Sequence, residues 1–263
     1  MTFIAAEEIL ARIPELWTFI LLMVRYGAMM LLLPGIASGD RGVAIRIPAA
    51  FVMALATFQT SQVAAIPSHW MMMIVGVVFE ILFGAALGLI PLLVVSGVQT
   101  GASLASTTMG LGAGALIDPA LGTSMPELSR ILGDLTVVIL LLLGVHYMAI
   151  YAAAGLGEVI VPGASYSIEE VVKILMNRSA DIFRLGVTIA SPVIVALLLT
   201  NFVMGLLSKA VPSINIFIIS FPLTIGIGLI LIVLVIPELV ALLQVETREI
   251  ENSMIELVDI RGR

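Results

Sequence analysis

An all-α fold that crosses a membrane several times is what this sequence predicts, and three observations predict it. The 263 residues have a mean hydropathy of +1.19, with 60% hydrophobic and 11% charged side chains, outside the range of water-soluble domains. The apolar residues gather into about six long segments, each of a length that suits a membrane helix. Pro, Gly and short polar clusters fall between those segments, where helices stop.

The first apolar segment, 16–33, is interrupted by Arg25 and ends at Pro34-Gly35, followed by a polar turn at 38–41. Ahead of it stand Glu7, Glu8 and Glu15, where a signal peptide requires basic residues, so the segment is expected to remain in the mature protein. A second segment, 43–66, has Arg46 near its start and Pro67 after its end. The third, 71–95, carries Glu80 and Pro91, and the fourth, 131–150, contains His146. Residues 161–184 form the one properly polar connection, in which Ser167 and Glu170 have the spacing of a capping box and predict a short amphipathic helix. The last two segments, 185–207 and 214–243, are divided by a tight turn at 208–213. In the polar tail 246–263, Ile250, Met254 and Leu257 recur at helical spacing and predict a short surface helix. The whole reads as a single domain.

Composition excludes several functions. With no Cys there is no disulfide, iron–sulfur cluster or thiolate zinc site, and His69 and His146 are too isolated to form a metal centre. Lys and Arg are scattered, and with a net charge of −6 the chain offers no basic patch for nucleic acid or anionic lipid. Ser191, Ser208 and Ser220 have no neighbouring histidine, and neither GxSxG nor HExxH occurs, so hydrolytic catalysis lacks its parts. No enzyme and no cofactor are expected.

Two features demand a function. Residues 97–130 are crowded with Gly, Ala, Ser and Thr, a composition too flexible for a good helix and too apolar for a solvated loop. Irregular backbone at membrane depth survives only where protein buries it or where it lines a watery cavity. The stretch is therefore read as a pore-lining or pore-closing element, with a loosely packed helical hairpin as the alternative. The second feature is the pair of intramembrane charges Arg25 and Glu80, since leaving one unpaired in lipid costs roughly 3 kcal/mol or more. Structural pairing, with each other across two helices or each with a partner subunit, is favoured over a proton relay, because one acid does not make a chain of them. Pro91, Pro192 and Pro222 each free a carbonyl that needs a partner, and Gly76, Gly84, Gly88, Gly205, Gly226 and Gly228 permit close helix approach. Both suit a subunit of a larger complex. A small secondary transporter with a midplane ion site would need two related halves, and no repeat relates 1–130 to 131–263.

Several motifs, in order, resemble one family. They are Arg25 with Pro34-Gly35 and Arg46; Glu80 with Gly84 and Gly88; Gly101, Met109-Gly110-Leu111 and Asp118-Pro119 with Gly122; Pro192 with Leu198, Leu199 and Asn201; and Pro212, Asn215, Phe217 and Phe221-Pro222. Over almost its full length the chain resembles the FliR/SctT family, the export-gate membrane proteins of flagella and their injectisome counterparts. It departs from the family at Thr108, where Gln is usual, and at Ala113 and Gly114, where an aromatic is usual, so no bulky ring is assigned to the loop. Val145 separates Gly144 from His146, Lys209 replaces an Arg, and Ser213 replaces a Gln.

The resemblance implies a FliP-like part over 1–184, with its central loop at 97–130, followed by a FliQ-like helical hairpin and polar tail over 185–263. It implies FliP-like and FliQ-like partner subunits, FlhA-like and FlhB-like export proteins, and unfolded export substrates, in the bacterial inner membrane at the flagellar basal body. The expected pore plug is Met109, Gly110, Leu111, Gly112, Ala113, Gly114, Ala115, Leu116 and Ile117, with Gly101, Asp118, Pro119 and Gly122 anchoring the loop. Lys209, Pro212, Asn215, Phe221 and Pro222 are expected to shape the hairpin turn. Apolar, compliant groups suit such a plug, because they can dewet a constriction and still yield to passing side chains.

Overall fold

The computed structural model describes residues 2–35, 40–111, 127–155, 157, 160–211 and 216–262. Among these, every regular element is a helix: α1 (Thr2–Leu32), α2 (Asp40–Phe58), α3 (Trp70–Met109), α4 (Glu127–Leu142), α5 (Val145–Ala153), α6 (Ile168–Ala210) and α7 (Ile216–Gly262). Four stretches are long and apolar enough to cross a membrane, within α1, α3, α6 and α7, and the broken pair α4–α5 makes a fifth if it is one span.

The six expected apolar segments are all helical, but the helix of the second is too short to count among these spans. The run 43–66 does not hold one helix, because α2 stops at Phe58, before the polar cluster Gln59, Thr60, Ser61 and Gln62. There the hydroxyls of Thr60 and Ser61 both donate to the carbonyl of Thr57, at 3.0 and 2.6 Å, and occupy a terminal helix acceptor. The chain then turns back, and the Ala64 amide donates to Thr18 Oγ1 of α1 at 2.8 Å. Gly144, with φ of 81°, divides α4 from α5, since a left-handed residue cannot continue a right-handed helix. Beyond it, the rings of His146 and Tyr147 meet at a tilt of 40° with centroids 3.9 Å apart, and His146 Nδ1 is buried without a hydrogen bond.

Three further expectations change. The short amphipathic helix expected in 161–184 is the beginning of α6, a helix of 43 residues. Its N-terminus is capped as foreseen, with Ser167 Oγ accepting from the Glu170 amide at 3.4 Å. The polar tail is not a surface helix of its own but the end of α7, whose Ile250, Met254 and Leu257 are 0–1% exposed. Finally, the Gly-rich stretch is not irregular from its start, for α3 runs on through Gly97 and Gly101 to Met109.

The helices distribute over two compact units. One comprises Met1–Leu92, Leu141–Asn177 and Thr247–Arg263, the other Leu93–Leu140 and Arg178–Glu246. In the first, Phe19 of α1 meets Phe51 and Phe58 of α2 edge to face at 5.4 and 6.1 Å, and α1 lies close along α3. In the second, α3 approaches α6 so closely at Gly101 that a Cβ there would stand 2.5 Å from the Gly186 carbonyl oxygen. This contact explains why a glycine-rich sequence is helical here: packing that only glycine permits outweighs its low propensity of ~1 kcal/mol per residue. The carbonyl freed by Pro192 is that of Thr188, and it accepts from the Ser191 hydroxyl at 3.2 Å, so this proline finds its compensation within the chain.

Candidate functional site

The buried charges of the first unit are assembled by a stripe of small residues. Glu80, Gly84 and Gly88 recur every four residues on α3, on one helix face. At Gly84 a Cβ would overlap the backbone carbonyl of Arg25, and at Gly88 it would lie 2.5 Å from that of Met29. The two backbones therefore touch, and one turn before that contact Glu80 is opposite Arg25. Arg25 Nε donates to Glu80 Oε2 at 2.6 Å and Nη2 to Oε1 at 3.2 Å, a two-pronged pair, while Nη1 donates to the Ala153 carbonyl at 2.9 Å. Of the two pairings the sequence left open, the mutual one is present, and both residues are at most 1% exposed.

A third member was not foreseen. Arg261, near the end of α7, also donates from Nη2 to Glu80 Oε1. The same oxygen accepts from the amide of Gly163 at 2.6 Å, in a left-handed turn with φ of 80°. Phe83 lies beneath both cations, 4.5 Å from Arg261 Cζ and 5.5 Å from Arg25 Cζ. Tyr166 packs edge-on against Phe79 and Phe83 and donates from its hydroxyl to the Phe79 carbonyl at 2.9 Å. Burial pushes the Tyr166 phenol up to about 12, with Arg261 pulling it down and Glu80 adding to the rise. One carboxylate thus serves two guanidiniums and a backbone amide, and Arg261 keeps Nε and Nη1 buried without partners. Nothing in the sequence set Arg261 apart from the other polar residues of the tail. A polar cavity of about 20 Å³ lined by Thr57, Thr60, Ser61 and Gln62 adjoins Arg25 and has room for one water.

The end of α3 belongs to the second unit. Ser129 donates to the Gln99 carbonyl at 2.7 Å, and Gly133 leaves room for the Gln99 side chain. The helix stops in a Schellman motif: the Gly110 amide bonds to the Thr107 carbonyl at 3.1 Å and that of Leu111 to Ser106 at 3.2 Å. Gly110 has φ of 87°, and the Phe221 ring occupies the space its Cβ would need, so only glycine fits. Met109 is 0% exposed and lies over Gly228, and its carbonyl accepts from Thr224 Oγ1 at 3.0 Å. Of the expected plug residues, Met109 is buried within the chain, Gly110 ends α3 in a left-handed conformation, and Leu111 is 42% exposed. Gly112, Ala113, Gly114, Ala115, Leu116 and Ile117 lie outside the described residues, as do Asp118, Pro119 and Gly122. Gly101 serves the contact with Gly186. Lys209 stands in the last turn of α6, where a cation suits the helix dipole, and Phe221 and Pro222 fall in the first turns of α7. Pro212 and Asn215 are outside the described residues. Thr224 and Gly228, which hold Met109, are residues the motif reading missed, although Gly228 had been marked as a site of close approach.

Among the described residues no group of three His, Cys, Asp or Glu side chains could hold a metal ion. The arrangement offers a rigid charged clamp in one unit and a pinned loop entrance in the other, and neither presents a nucleophile with a base beside it.

Comparison with known proteins agrees with this reading of the chain as an export component. It is 28% identical to the flagellar biosynthetic protein FliR of Escherichia coli over 179 residues, which is 68% of this chain and 69% of the relative. The FliR protein of Caulobacter vibrioides is 26% identical over 224 residues, covering 84% of this chain and 88% of its own. The Yop proteins translocation protein T of Yersinia pestis is 23% identical over 227 residues, 83% and 85% of the two chains. The family described as bacterial export proteins, family 1, matches residues 16–250, from α1 into the tail of α7, and the chain belongs to that family.

Proposed function

We propose that the chain is a non-enzymatic subunit of the flagellar type III protein export gate, helping to form and seal the passage taken by unfolded proteins leaving the cytoplasm. The observation that carries this reading is the similarity, over most of both chains, to proteins named for flagellar biosynthesis. The weaker similarity to a Yop translocation protein favours an injectisome gate as the second reading.

In the flagellar reading the chain lies in the inner membrane at the basal body, beside FliP-like and FliQ-like subunits and in contact with FlhA-like and FlhB-like export proteins. Its apolar surface supports a place among other helices. Only 17% of the most apolar window of α7 is buried within the chain, and 33% of that of α6, so most of each is open to lipid or to partners. The plug spans 109–117, with Met109 at its buried end, Leu111 exposed, and Asp118 and Pro119 at its exit. A passage wide enough for a polypeptide leaks ions unless apolar side chains dry it when idle. Co-expression with FliP-like and FliQ-like proteins tests the assignment. A stable complex should be recovered in which this chain survives, while the chain expressed alone should be degraded. A stable monomer that ignores both partners would overturn it.

A further inference from the structure

We propose that the end of α7 and α5 form a docking groove for a basic amphipathic helix of a partner protein. The groove has a volume of about 380 Å³, with Met148 and Met254 on its floor and Tyr151 and Ile255 as its walls. Tyr151 is 58% and Ile255 42% exposed, an aromatic and an aliphatic side chain held open beside each other. Glu251 and Asp259 stand on the rim. On the other side of the same helix a second, more polar groove of about 310 Å³ contains Glu170, Glu256 and Asp259, with Lys173 as its cation. Asp259 borders both.

Lipid hydrocarbon is a poor occupant. The apolar stretch Ile219–Arg261 is 43 residues long, about 65 Å of helix at ~1.5 Å per residue, against a hydrocarbon thickness of ~30 Å. Its charged end carries Arg248, Glu249, Glu251, Glu256 and Asp259, all exposed, and charged side chains facing hydrocarbon are costly. Anionic headgroups would be repelled by the same carboxylates. What fits is a segment with an apolar stripe for the methionine floor and Lys or Arg for the rim. A groove between two helices receives a third helix in this way, and methionines adapt to varied side chains. The clamp described above holds this end in place, since Arg261, which follows Asp259 by two positions, turns inward to Glu80.

The test needs no other export protein, so its outcome is separate from that of the co-expression experiment. The full chain is placed in zwitterionic lipid nanodiscs and titrated with a synthetic peptide of Leu and Lys arranged on opposite helix faces, with empty discs as baseline. Saturable binding above that baseline is expected. It should weaken at least about tenfold in the surface double variant Glu251→Lys/Asp259→Lys, and again at high salt. An otherwise identical Leu and Glu peptide should not bind. A second variant, Ile255→Glu, should weaken binding by removing the apolar wall. Equal binding by wild type and double variant, equal binding of the two peptides, or no binding above empty discs would each overturn the proposal.

Discussion

Replacing Glu80 by Gln is the sharpest perturbation of the buried clamp. The amide keeps the shape and one acceptor, so the bond from the Gly163 amide can survive, but the charge facing Arg25 and Arg261 is lost. Removing one partner of a buried ion pair costs ~3–5 kcal/mol, and here two guanidiniums lose their counter-ion together, so about 4 kcal/mol is expected. Arg261→Met is the informative contrast. Arg261 keeps Nε and Nη1 buried and unpaired, which is worth ~1–3 kcal/mol of destabilisation per group, and Met retains an aliphatic chain over Phe83. The loss of its bond to Glu80 is therefore largely offset, and a change of about 1 kcal/mol or less is expected. Thermal unfolding of the purified protein in one detergent reads both. At roughly 2–4 °C per kcal/mol, Glu80→Gln should lower Tm by roughly 8–16 °C and Arg261→Met by only a few degrees. The double variant should recover part of the loss, since it has one stranded cation fewer. Equal shifts for the two single variants, or an unchanged Tm for Glu80→Gln, would refute the view that a single carboxylate holds both cations.

Other expectations follow from close contacts. Gly84→Ala should sharply reduce stability and the amount of protein in membranes, because its Cβ would meet the backbone at Arg25, which cannot step aside as a side chain can. Gly228→Ala should lower Tm by displacing the Met109 side chain, whereas Gly226→Ala, with nothing within 4 Å, should be neutral or stabilising by ~0.5–1 kcal/mol. Tyr166, raised from 10.0 to about 12, stays neutral in the folded protein while the unfolded chain ionises. Its contribution is complete below pH 10 and is lost as pH rises from 10 to 12, so the Tm of Tyr166→Phe should fall less than that of the wild type across that window.

The sequence revealed the membrane class, the Arg25–Glu80 pair, the stop at Pro34-Gly35 and the Ser167 cap, because each rests on local chemistry or on a cost too large to ignore. Other features were hidden for identifiable reasons. The helix through Gly97 and Gly101 depends on Gly186, 85 positions beyond Gly101, and no propensity scale can register such a contact. Arg261 resembled any polar tail residue, and only the return of α7 to α3 makes it a ligand of Glu80. Thr224 and Gly228 acquire meaning through Met109, in a different helix. In the other direction, the polar run 59–62 was readable as the end of α2 but was absorbed into a longer apolar window.

Ion conductance measures the central claim most directly. The assembled gate, reconstituted in planar bilayers, is compared with one whose copy of this chain lacks 112–117 but keeps the helix stop at Gly110. A tight wild-type gate and a variant that passes small ions steadily are expected. A variant as tight as the wild type, in a complex of unchanged composition, would contradict the assignment of this loop as the seal.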